Sequence, residues 1–150
     1  MTAKQEMARA YFRQGYNCAQ AVFAAFAKEM AIEEKEALRM SSSLGGGMGG
    51  LREVCGAVSA MFLAAGALKG YDMPDDSAAK QRHYQRIQQM ADVMKAEYGS
   101  INCRELLERN NIRPDAAPAD RDEAYYATRP CARYVEFCVK ILEQELAKED

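Results

Sequence analysis

The chain has 150 residues and a formal net charge of −2, with 20 basic and 22 acidic side chains mixed along it. That length leads us to expect a single domain, 1–150, with room for a real core. The balanced charge gives no electrostatic case for a nucleic-acid partner.

The first residues, MTAKQEMARAYF, lack the apolar run of a secretory signal. The five cysteines are therefore expected in a reducing, cytoplasmic setting, free, metal-bound or redox-active rather than locked in a disulfide framework. Trp is absent, Val and Ile are few, and Ala and Met are abundant, which favours helices over strands. In chain order, the pattern predicts a helix over 3–14 with Met7, Ala10 and Tyr11 on one face, interrupted at Gly15. A second runs from Asn17 to about Ala31, with Val22, Phe23 and Phe26 apolar. A short third helix over 33–43 stops at the glycines of GGGMGG. The fourth, over about 51–69, is nearly uncharged from Val54 to Leu68. It is expected to be the central buried apolar helix, surrounded by the others. It is shorter than the roughly 20 residues of a membrane span and is bounded by Arg52, Glu53 and Lys69, so no membrane is expected. Tyr84, Ile87, Ala91, Met94 and Tyr98 recur at helical spacing over 76–98, and Gly99 ends that helix. His83, Arg82 and Arg86 fall on its solvated side. Short helices over 103–110 and 121–127 flank a loop containing Pro114 and Pro118, and a last helix covers 130–148. With no period-two strand, the fold class is all-α, a multi-helix bundle.

Chemistry concentrates at the helix starts. Asn17-Cys18-Ala19-Gln20 and Asn102-Cys103-Arg104-Glu105 repeat one pattern, in which Asn caps and Gln or Glu returns a bond from three residues on. Each puts Cys at the first helical position. Cys131 follows Pro130, a residue favoured where a helix begins, and Cys55 lies near the start of the apolar helix. Cys138 sits inside a helix, two turns (about 10 Å) from Cys131, too far for a disulfide within it. A helix N-terminus favours thiolate over thiol, so lowered pKa values are expected for Cys18 and Cys103. The cysteine-bearing starts belong to the second, fourth, sixth and eighth predicted helices. If the helices alternate up and down, Cys18, Cys55, Cys103 and Cys131 converge at one end of the bundle.

Gly45, Gly46, Gly47, Gly49 and Gly50 form the other unusual stretch. Gly45, Gly47 and Gly50 formally satisfy G-x-G-x-x-G, but a helix rather than a strand precedes them and no Gly-Lys-Ser/Thr follows, so nucleotide binding is not indicated. The block reads as a tight interhelical connection. Its functional reading is a nest of N–H groups for an anion or for sulfur, which makes these five glycines cofactor-binding candidates. Tyr125-Tyr126 reads as packing.

YNCAQAV, GGGMGGLREVCGAVSA, INCRELL and CARYVEF together resemble the family of small proteins labelled redox-active and named for its cysteine pattern, C_GCAxxG_C_C. Ala60 stands where that family usually has Gly. A related domain occurs in split-Soret cytochromes, where haem and an iron–sulfur centre are found. This chain has no C-x-x-C-H for haem attachment.

The expected function is therefore cysteine-based redox chemistry. In one version Cys18, Cys55, Cys103 and Cys131 bind zinc or an iron–sulfur cluster. In another, two or more of them act as catalytic redox thiols that cycle with disulfides. The alternative is a helical interaction module, a homodimer, with inert cysteines. The sequence names no redox partner and does not decide whether the chain is an enzyme.

Overall fold

A computed structural model gives the fold of residues 1–149. Helices begin where the sequence offers an acceptor. Thr2 caps α1 (Ala3–Arg13) and Asn17 caps α2 (Cys18–Ala25), each in a complete capping box. After α3 (Glu34–Ser41) the chain passes through a 3₁₀ turn, Ser42–Leu44, into the glycines. Gly45–Met48 looks helical in its hydrogen bonds, but Gly46 and Gly47 have φ of 68° and 67°, so we treat it as a left-handed turn rather than a helix. Then come α4 (Gly56–Lys69), α5 (Ser77–Tyr98), α6 (Cys103–Glu108), α7 (Glu123–Thr128) and α8 (Cys131–Leu146). No strand occurs among the described residues, only one antiparallel bridge between Val54 and Asn102. The all-α expectation holds. No helix of the described residues is long and apolar enough to cross a membrane.

The central helix departs from expectation in two ways. It starts at Gly56 rather than Leu51. Residues 49–54 are extended or turned, with Leu51 exposed and Arg52 at φ 58°. It is also not enclosed throughout, because Leu63 is 43% exposed. The middle of the bundle is α2 instead. Six of its eight residues are buried, and it packs against α1, α3, α4 and α8. A helix apolar on every side carries no pattern that tells which side meets water. The second helix also ends earlier than expected, at Ala25, and a turn with Ala31 at φ 57° leads on to α3.

The α5 face is half right. Met90, Ala91 and Met94 are buried, but Tyr84 is exposed. Arg86 is not on a solvated face, since its guanidinium pairs with the buried Glu145 at 3.3 Å and links α5 to α8.

Candidate functional site

The helix starts bring the cysteines together. Cys18, Cys55, Cys103 and Cys131 all line one cavity of about 330 Å³. They come from the beginnings of α2, α4, α6 and α8, as the helix parity predicted. Cys138 does not line the cavity and is fully buried in α8. All five cysteines are free thiols.

The local structure explains the placement. Asn17 accepts from the Gln20 N–H at 2.8 Å and its own N–H donates to the Gln20 side chain at 3.0 Å. Its amide also donates to the Ser42 carbonyl at 3.1 Å, tying the start of α2 to the glycine turn. The second capping box forms only by half. Asn102 accepts from the Glu105 N–H, but Ser100 takes the Glu105 carboxylate and also accepts the Asn102 N–H. Cys55 is itself the N-cap of α4. Its N–H donates to the Ile101 carbonyl at 2.7 Å, and the Cys103 N–H donates to the Glu53 carbonyl at 2.6 Å. This pairing, around the Val54–Asn102 bridge, ties the segment before α4 to the segment before α6, with Cys55 opposite Ile101 and Cys103 opposite Glu53.

The glycines serve the cysteines. Gly45, Gly46, Gly49 and Gly50 line the cavity, whereas Gly47 is buried behind it. At Gly47 (φ 67°) a Cβ would lie 2.6 Å from Cys103 Cβ and 2.8 Å from Arg52 Cα. A further glycine, Gly56, matters as much and was not singled out by the sequence pattern. A Cβ there would lie 2.6 Å from Cys18 Sγ and 2.8 Å from the Leu44 carbonyl oxygen. Backbone without side chains is what lets α2, α4 and the glycine turn meet at sulfur.

The expected lowering of the Cys18 pKa is overturned. Burial pushes the Cys18 thiol up, with the N–H groups of Gly46, Ala19 and Ala57 only partly offsetting it. Burial pushes Cys55 well up, with added repulsion from Cys18. Cys131 is raised to about 12 by burial first and by the neighbouring Cys18 and Cys103 second. Magnitudes explain the outcome. A helix terminus contributes typically 0.3–1 kcal/mol, roughly under one pKa unit, while full burial shifts a group by up to about 3–5 units. Cys138 is also raised, by burial.

Three arginines that the sequence did not mark complete the wall. Arg52 is only 7% exposed. Its Nε donates to the Asp115 carbonyl at 2.7 Å and its Nη1 lies 3.7 Å from Cys103 Sγ. Arg121 lies beside the rings of Phe12 and Tyr125, at 4.4 and 4.6 Å from their centroids, and donates to the carbonyls of Phe12 and Tyr16. Arg129 lies over the Tyr125 ring. All three line the cavity, and among the described residues no Asp or Glu does. Tyr125, read from sequence as packing, also lines it. Nothing in the local sequence distinguishes these arginines from solvated ones, since their roles depend on loops whose course no periodicity reveals.

Among the described residues, no three His, Cys, Asp or Glu side chains are gathered as a single metal ion requires. No curated protein and no solved structure matches the chain. A family model does, described as "Putative redox-active protein (C_GCAxxG_C_C)", over residues 16–145. With four cysteines at four helix starts around one cavity, the chain belongs to the C_GCAxxG_C_C family.

Proposed function

We propose that the protein transfers electrons through an iron–sulfur cluster held by Cys18, Cys55, Cys103 and Cys131. The observation that carries this reading is the single cavity onto which all four thiols open. Thiol–disulfide cycling needs an attacking thiolate near ambient pH, and burial raises the pKa of Cys18, Cys55 and Cys131, which argues against these three in that role. A coordinated thiol is deprotonated outright, so raised pKa values are compatible with a ligand role. Four sulfur donors select zinc or iron–sulfur. Zinc needs its sulfurs about 2.3 Å from one point, and no such tight group is present among the described residues. A cluster held by four cysteines reaches across more space, which favours it over a lone ion.

When bound, the cluster supplies one-electron transfer. The chain supplies its setting. The Gly46 N–H acts on Cys18 sulfur and Arg52 lies beside Cys103, and hydrogen bonds to sulfur help to set a cluster's potential. Phe12, Leu106 and Leu107 form apolar wall that limits water. The test is anaerobic reconstitution with ferrous iron and sulfide, followed by iron and sulfide analysis and an absorption spectrum. The expected result is bound iron and sulfide with broad visible absorption, both lost in Cys18→Ser/Cys103→Ser. No retained iron, or equal retention in the double variant, would overturn the reading.

A further inference from the structure

The cavity gathers positive charge without a matching negative side chain among the described residues. Arg52, Arg121 and Arg129 line it, and among the described residues no acidic side chain does. None of the three forms an ion pair with a carboxylate of the described residues. Three guanidiniums around one cavity repel one another, and Arg52 carries its charge almost wholly buried while Arg121 and Arg129 are half-buried. Neutral thiols cannot compensate them.

The three arginines differ in what they have left to give. Arg121 is committed, with donors on two backbone carbonyls and two rings beside its guanidinium. Arg52 spends Nε on the Asp115 carbonyl and presents the rest of its fork at Cys103. Arg129 stacks on Tyr125 and makes no hydrogen bond through its guanidinium among the described residues. A planar fork with spare donors matches an oxyanion bidentately. The volume, about 330 Å³, lies at the small end of the ligand-site range of about 300–1,000 Å³.

We propose that this cavity binds a small tetrahedral oxyanion, of the sulfate or phosphate class, through Arg52 and Arg129, with Arg121 as fixed positive charge. The site is a property of the metal-free chain and does not depend on the cluster. It places an anion beside Cys103, on the Arg52 side of the cavity.

The experiment uses full-length, reduced, chelator-treated protein. Sodium sulfate and sodium phosphate are titrated by calorimetry, with sodium chloride at matched ionic strength as the reference. Thermal unfolding is followed in parallel, because a ligand that binds only the folded state raises the melting temperature with concentration. The expected result is saturable binding of at least one oxyanion. Arg52→Gln and Arg129→Gln should each weaken it about 10- to 100-fold, the range for a hydrogen bond to a charged group. Arg129 is the safer variant, since it is less buried than Arg52. Sulfate and phosphate also stabilise proteins generally through exclusion from the surface. Stabilisation that does not saturate and is equal in wild type and Arg129→Gln, or no heat beyond chloride, would overturn the proposal. Iron content reports on the cluster separately, so failure of one reading is distinguishable from failure of the other.

Discussion

In α4, Gly56–Met61 lies entirely inside the protein, while Leu63 and Ala67, one turn apart, face outward. Both halves of this helix are built from small and apolar residues. The first half is covered because α2 crosses it and the glycine turn closes over its start. The second half has α5 and α8 on one side, and Leu63 is left 43% exposed. Hydropathy therefore states a preference for burial, and neighbours decide whether that preference is met. Chemistry followed the covered half, where backbone approaches backbone closely enough to bring sulfur from two helices to one place.

The largest effect expected from breaking this contrast is at the covered end. Gly56→Val puts a branched side chain against Cys18 Sγ and the Leu44 carbonyl, already within 2.6 and 2.8 Å of a bare Cβ. The loss of stability should be about 3 kcal/mol or more, the top of the overpacking range. Urea unfolding measures it, and Cys18 should alkylate faster in the native variant. A midpoint unchanged from wild type would mean that α2 and α4 do not need their close approach.

A smaller effect concerns pH. Cys131 is raised to about 12 in the fold against about 8.5 unfolded. Below about pH 8.5 both states are protonated and stability is fully present. Between there and about 12 the unfolded chain releases a proton that the folded chain keeps, so stability falls as pH rises. Relative to Cys131→Ala, wild type should lose up to about 1.4 kcal/mol per pH unit across this window. Unfolding curves of the reduced, metal-free proteins from pH 8 to about 10.5, a span chosen to cross the unfolded thiol value, measure the slope. Parallel slopes would show that the Cys131 thiol meets as much water in the fold as out of it.

At the uncovered end the effect should nearly vanish. Leu63→Gln is expected to change stability by less than about 0.5 kcal/mol, as for surface sites generally. A loss of 2 kcal/mol or more, of the order seen for buried large-to-small changes, would reveal that this face is covered in solution, and sedimentation would then identify a second copy.

The features legible in the sequence were those written locally. Asn17 and Asn102 announced helix starts, Pro130 announced another, and from them the convergence of four cysteines could be counted. The all-α class followed from composition and period. What escaped was everything settled by long-range approach. Arg52 looks like any arginine beside glycines until its φ of 58° and its burial against Cys103 and Asp115 are seen. Gly56 looks like one more small residue in an apolar run until Cys18 is placed against it. The helix-start rule for thiolates misled at Cys18 because the same packing that delivers the N–H groups also removes the water.

The pairing around Val54 and Asn102 also orders events in time. These residues are separated in sequence by all of α4 and α5. The last wall of the cavity, at Cys131, comes later still. A chain synthesised from its N-terminus therefore makes Cys18 first and must keep it unreacted through most of translation. Cys55 gains its bond to the Ile101 carbonyl only once residues 101–104 have emerged, and enclosure waits for α8. During that interval the nascent thiols depend on their surroundings, not on the fold, to stay reduced. Oxidative damage to this protein should thus be greater during its making than afterwards.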